Sequence, residues 1–222
     1  AHVAAEKLIT TSLELGGKSP VVVLPDADLE AAAKGIVYGI FSSTGQACIA
    51  GSRLFIHDSI YDALLEKILE YTRNLRVGHP EKAGVHIGPL ISEQHLKVVD
   101  DYVRFAEKEG GKVILGGQRL TGGEYDKGAY YPPTIITGLQ NRAQACQEEI
   151  FGPVLIVLPY RDEAELIKAA NDNEYGLAAG IWTRDYKRAF KLADLLEAGT
   201  IWINTYKKFS ISAPFGGFKN SG

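Results

Sequence analysis

Apolar positions follow two rhythms that alternate along this chain. Short continuous runs stand at 19–24 (SPVVVL), 53–57 (RLFIH), 153–160 (PVLIVLPY), 176–183 (GLAAGIWT) and 200–204 (TIWIN). Runs of this length and content suit strands covered on both faces. Two weaker ones follow at 112–117 (KVILGG) and 134–139 (TIITGL), separated by a turn-rich stretch. Elsewhere the apolar spacing lengthens to that of a helix. After Asp26 and Asp28, which offer caps, Leu29, Ala32, Ala33, Ile36, Val37 and Ile40 fall on one face. Ser59 offers a cap to a helix over about 60–73, with Tyr61, Leu64, Leu65 and Ile68 inward. Further helices are predicted over 95–111, stopped by Gly110-Gly111, and over 162–173, opened by Asp162 and Glu165. The last, over 184–199, turns Ala189, Leu192, Ala193 and Leu196 inward and takes Gly199 as its stop. Strands alternating with helices predict an α/β layered fold with a mostly parallel sheet. With no internal repeat and no long linker, the chain is expected to be one domain over residues 1–222.

Composition narrows the function classes. Among 222 residues, 45% are hydrophobic and 23% charged, which is ordinary for a globular chain. The net charge is −3, and the densest basic cluster is the Lys207-Lys208 pair, so neither nucleic acid nor an anionic membrane surface is an expected partner. No apolar run approaches the roughly 18 residues of a membrane span. Two cysteines, Cys48 and Cys146, make no disulfide framework, and a reduced, cytoplasmic setting is the expectation. They form no zinc-type spacing with each other or with histidine, so no metal site is expected. The chain opens at Ala1, contains no methionine and stops at GGFKNSG, which suggests a piece of a longer protein.

Three stretches carry candidate chemistry. In LELGGKSP (13–20), Glu14 lies between two leucines, and an apolar setting would raise its pKa toward that of a general base working near neutral pH. Most lone glutamates, however, simply face water. In SSTGQACIAGSR (42–53), small residues flank Cys48, so backbone N–H groups can approach both a thiolate and a reacting oxyanion. A lone cysteine is more often a buried packing residue. In CQEEIFGPV (146–154), Glu148 and Glu149 face opposite ways on an extended chain, so one can enter a cleft and accept from a ribose diol. Cys146 reads as packing.

In this order, LELGGKSP, GQACIAGSR, EEIFGPV, YGLAAGIWT, WIN and PFGGFKNSG resemble the NAD(P)-dependent aldehyde dehydrogenase superfamily from about residue 10 to the C-terminus, with Cys48 34 positions after Glu14. The resemblance implies a three-layer αβα catalytic domain. It implies Cys48 as the nucleophile, with its own N–H as an oxyanion donor, and Glu14 as the base that activates water to hydrolyse a thioester. That glutamate favours a free carboxylic acid over an acyl-CoA product. The resemblance also implies Glu149 on the nicotinamide ribose, Phe151 beside the nicotinamide and the Leu15 backbone at the carboxamide. An aldehyde tunnel would draw on Phe41, Ser42, Ile49, Tyr206, Phe209 and Phe215, and Ser42 stands where some relatives carry a bulky aromatic. The implied cofactor is NAD or NADP, and the parent protein is expected to be a homo-dimer or homo-tetramer. The dinucleotide-binding domain and the C-terminal oligomerisation segment are expected to lie outside this chain. Isolated, it should bind cofactor weakly or not at all.

Two other readings compete. A catalytically silent, structural member of the same superfamily is opposed by the intact Cys48 and Glu14. A cofactor-free cysteine hydrolase needs a histidine partner, and His2, His57, His79, His86 and His95 are scattered outside any cysteine–histidine signature.

Overall fold

The computed structural model describes residues 2–222. A short helix α1 (His2–Lys7) precedes an extended segment that leads into strand β1 (Pro20–Val23). Then follow α2 (Leu29–Phe41), β2 (Arg53–His57), α3 (Tyr61–Arg73), α4 (Glu93–Lys108), β3 (Lys112–Leu115) and β4 (Thr134–Thr137). The chain continues with α5 (Gln144–Gln147), β5 (Val154–Tyr160), α6 (Glu163–Asn171), β6 (Tyr175–Gly176), β7 (Ala178–Trp182), α7 (Tyr186–Leu195), β8 (Thr200–Ile203) and β9 (Phe218–Lys219).

Seven strands form one sheet in the order β3-β4-β5-β2-β1-β7-β8. Every neighbouring pair is parallel except β3 with β4 at one edge. β6 and β9 make a separate antiparallel pair. Alternation along the strands divides the core in two. Val22, Phe55, Ile156 and Ile181 point to the face covered by α4, α6 and α7. Val21, Val23, Leu54, Leu155 and Val157 point to the face covered by α2 and α3. This is the three-layer αβα arrangement, and the unbroken apolar runs follow from burial on both faces.

The predicted strands all form, and the helices differ at their ends. Asp28 caps α2, accepting from the Glu30 and Ala31 amides, both at 3.1 Å. Asp26 is engaged elsewhere. It accepts from Thr183 Oγ1 (2.7 Å) and from the amides of Arg184 and Asp185, pinning the end of β7. Ser59 does not cap α3. His57 Nδ1 takes the Ser59 amide and draws residues 58–60 into a 3₁₀ turn. α4 starts earlier than its apolar pattern predicts because Ser92 caps it. Gly199 is not the stop of α7, which ends at Leu195. Leu196 is extended there, which buries its side chain.

Candidate active site

Three approaches to the sheet meet at its amino-terminal edge. Gly16 and Gly17 lead into β1, the Cys48 turn leads into β2, and Glu149 precedes β5, and these three strands are adjacent and parallel. Cys48 lies in a turn closed by Ala50 N–H donating to the Ala47 carbonyl at 2.9 Å. Ahead of it, Ser43, Thr44 and Gly45 take φ of 57°, 57° and 69° in succession. That left-handed geometry is costly for the first two residues and is characteristic of functional sites. Glycine is required at the third, where a Cβ would stand 2.1 Å from the Gly152 carbonyl oxygen.

The glycine pair lets two elements close on the segment that follows Glu14. A Cβ on Gly17 would lie 2.4 Å from the Cys48 carbonyl oxygen, and one on Gly16 would lie 2.5 Å from Glu149 Oε2. Gly17 N–H donates to Glu149 Oε1 at 3.1 Å. Glu148 turns the other way and accepts from Tyr102 Oη (2.6 Å) and Gln144 Nε2 (3.0 Å). The opposed orientation expected from an extended Glu-Glu pair is therefore present, with Glu149 on the Cys48 side.

Burial raises the Cys48 thiol above its ordinary pKa, and the nearby negative charges of Glu149 and Glu14 push the same way. Hydrogen bonds to sulfur from the amides of Ile49 and Cys48 oppose them. Glu149 is itself raised by burial, with the Gly17 amide and the Lys18 charge pulling it back. Glu14 departs from expectation. It is exposed, and its neighbours Leu13 and Leu15 are 38% and 44% exposed, because the segment crosses the surface without a covering element. The two leucines therefore give it no apolar pocket.

The remaining candidates separate by burial. Phe41, Ile49 and Tyr206 are buried and pack beneath the turn, and Tyr206 Oη donates to the Ile49 carbonyl at 3.0 Å. Ser42 is half-buried and accepts from Lys207 Nζ at 2.8 Å. Phe209 is exposed and packs edge-on against Trp202 and Phe215. Phe151 is 38% exposed, with φ of 55°, and His95 Nε2 lies 2.7 Å from its carbonyl oxygen. That contact ties up the histidine on this side of the molecule. Cys146 is fully buried, and burial lifts its thiol to about 11, as suits a packing residue. No group of three or more metal-ligating side chains occurs among the described residues.

The supporting residues were not legible as such. Arg53 is buried at the head of β2 and donates to the carbonyls of Lys18 (2.9 Å), Ala169 (3.2 Å) and Ala170 (2.8 Å) and to Asn141 Oδ1 (3.1 Å). It fixes the segment that carries the glycine pair. Lys18 is buried beside it, and its Nζ has no hydrogen-bond partner. A charged residue directly against an apolar strand was the one available signal. A concavity of about 840 Å³ runs along α4 and residues 116–119, and Cys48 does not line it.

Fold and site together define a parallel α/β domain that presents a cysteine and a carboxylate on either side of a glycine pair. The model of the aldehyde dehydrogenase family matches residues 1–222, and the chain belongs to that family. HpcC from Thermus thermophilus is 44% identical, with a TM-score of 0.94 over 100% of this chain and 44% of that one. An aldehyde dehydrogenase from Bacillus cereus, solved as an NAD+ complex, is 40% identical, with a TM-score of 0.92 over 99% and 44%. Betaine aldehyde dehydrogenase from Staphylococcus aureus is 35% identical, with a TM-score of 0.93 over 98% and 43%. The chain thus spans less than half the length of these relatives. No helix among the described residues is long and apolar enough to cross a membrane.

Proposed function

We propose that this chain supplies the nucleophile and the general base of an NAD- or NADP-dependent oxidation of an aldehyde to a free carboxylic acid. The observation that carries the reading is the convergence of Cys48, Glu14 and Glu149 around Gly16 and Gly17. Cys48 gives up its proton to solvent and attacks the aldehyde carbon as the thiolate, a C–S bond forms, and the carbonyl electrons move onto oxygen within reach of the Cys48 N–H. A bound nicotinamide would supply the hydride acceptor for that carbon, and Cys48 would then carry the acyl group as a thioester. Glu14 then takes a proton from water, the water oxygen bonds to the acyl carbon, and the C–S bond breaks to return Cys48. Exposure of Glu14 suits this role, because the attacking water must reach it.

The residues present fit the nicotinamide end of the cofactor. Glu149 keeps Oε2 free beside Gly16 while Oε1 is held by the Gly17 amide, leaving a carboxylate oxygen for ribose hydroxyls. Phe151 and Leu15 are both partly exposed. In the B. cereus relative, of which this chain spans 44%, NAD+ is present. The adenine half is assigned to the remainder of a longer enzyme, a cytoplasmic homo-dimer or homo-tetramer, and the isolated chain binds NAD(P)+ weakly or not at all. Micromolar binding by calorimetry would overturn that last point.

Pre-steady-state kinetics on the complete enzyme test this reading. Cys48→Ser should abolish reduction of the cofactor. Glu14→Gln should retain one rapid equivalent of reduced cofactor per site and then stall, with the acyl group found on Cys48 by mass spectrometry. A Glu14→Gln enzyme that turns over at the native rate removes Glu14 from the mechanism.

A further inference from the structure

We propose that Lys207 and Ser42 form an anion-binding end to the aldehyde site and that the substrate is an aldehyde carrying a carboxylate. The assignment rests on the functional reading above, because it needs Cys48 to be the residue that meets substrate.

Lys207 is held against the Cys48 turn from two sides. On its backbone side, the adjacent Tyr206 is buried and donates through its hydroxyl to the Ile49 carbonyl, one residue beyond Cys48. The Lys207 backbone is left-handed, with φ of 55°, and the next carbonyl, of Lys208, accepts from Trp202 Nε1 at 2.7 Å. On its side-chain side, Nζ donates to Ser42 Oγ at 2.8 Å. Ser42 begins the strained turn that runs through Ser43 and Thr44 to Cys48. The Tyr206-Lys207 pair is thus fastened at both ends of the loop that presents the nucleophile, Tyr206 at Ile49 and the Lys207 ammonium at Ser42. The ammonium is close enough for a Cys48 thiolate to favour its charged form.

Its environment lacks what a half-buried cation ordinarily has. Lys34, Lys67, Lys82, Lys97 and Lys219 each have a carboxylate within 4 Å, and Lys207 has none among the described residues. Burial consequently draws its pKa down to about 8. An ammonium has three donors, and one is used. Ser42 Oγ accepts that bond and makes no other hydrogen bond among the described residues, so its own O–H is free to donate. Two donors on adjacent atoms match the two oxygens of a carboxylate. A carboxylate arriving there supplies the missing counter-charge, and a neutral aldehyde leaves a desolvated cation unpaired.

The experiment has one readout that needs no dehydrogenase activity. Cys48 of this chain is alkylated with iodoacetate and, separately, with iodoacetamide, which differ in charge and little in size, and the site is confirmed by mass spectrometry. Lys207→Met should lower the iodoacetate-to-iodoacetamide rate ratio by about fivefold at low salt, the size of one solvated charge pair at close range. Lys207→Arg should retain the ratio, and salt should erode it. In the complete enzyme, Lys207→Met should lower kcat/KM for succinic semialdehyde relative to butanal by about 10- to 100-fold, through KM, as expected for loss of a charged hydrogen bond. An alkylation ratio unchanged by Lys207→Met overturns the inference whether or not the enzyme oxidises aldehydes. So does an equal loss for both aldehydes. Failure of the complete enzyme to reduce NAD(P)+ with any aldehyde, alongside an altered alkylation ratio, would instead sink the dehydrogenase reading and leave an anion site beside Cys48.

Discussion

Gly17→Ala isolates the contact on which the site geometry depends. Gly17 needs no unusual φ, so alanine meets no backbone penalty there. The obstacle is space: the new methyl would lie 2.4 Å from the Cys48 carbonyl oxygen and 3.1 Å from Leu177 Cβ. An unstrained carbon–oxygen contact is about 3.3 Å, so something must move by ~0.9 Å. Leu177 is buried behind the glycine. The displacement therefore falls either on the Cys48 turn or on Gly17 itself, and the latter stretches its bond to Glu149. Overpacking of this kind costs about 1–3 kcal/mol, or roughly 2–12 °C in Tm for a chain of this size. The same displacement at a reacting atom costs on the order of 10²-fold in rate. Calorimetry and steady-state turnover of the complete enzyme test both figures. Gly88→Ala is the control, since its added methyl meets nothing within 4 Å. It should leave Tm unchanged or slightly raised. A Gly17→Ala enzyme with native turnover and an unchanged Tm would show that the glycine pair does not set the position of Cys48.

Three further outcomes follow from the same geometry. Glu149→Gln removes a negative charge that raises the Cys48 thiol, so the pH midpoint of Cys48 alkylation by iodoacetamide should fall; an unmoved midpoint refutes the coupling. Burial draws Lys18 down to about 7, so between pH 7 and 10.5 the unfolded chain holds a proton that the folded chain does not, and this group's contribution to stability rises with pH across that window. Lys18→Met should accordingly raise Tm at pH 7, with the gain shrinking toward pH 10, and a gain independent of pH would contradict it. Arg53→Met removes a donor from the carbonyls of Lys18, Ala169 and Ala170, of which Ala169 keeps Asn141 Nδ2, and should lower Tm by roughly 6–20 °C, from about 3–5 kcal/mol, whereas an equal or higher Tm would mean that the other two carbonyls find new donors.

The central strands β1, β2, β5 and β7 were legible because each is covered on both faces, which writes an uninterrupted apolar run into the sequence. Helix ends were less so, because Asp26 and Gly199 have the chemistry of caps and stops but answer to tertiary partners, and Ser59 is held by the neighbouring His57. Cys48, Glu14 and Glu149 were proposed through ordered motifs, because each alone reads more readily as a packing or solvent-facing residue. Their meeting point lies at the amino-terminal edge of the sheet, whereas ligands in open α/β sheets usually lie beyond the carboxyl ends. Surroundings were harder still. Leucines on either side of Glu14 suggested an apolar pocket, yet an extended surface segment leaves all three residues in contact with water. Lys207 read as half of a solvated basic pair, and only the fold-back of the loop after β8 brings it to Ser42.

The strand order also governs how the molecule is made. Val21 in β1 pairs on one side with Leu54 and on the other with Gly180, near the opposite end of the chain. During synthesis, β1 has its first neighbour early and waits for its second until β7 emerges. In that interval an uncharged PVVV edge lies open to any other strand. Contacts so distant in sequence also close slowly. The hazard in producing this protein is therefore kinetic: slower translation through residues 60–180 prolongs the exposure of one short edge, and an early partner for that edge shortens it.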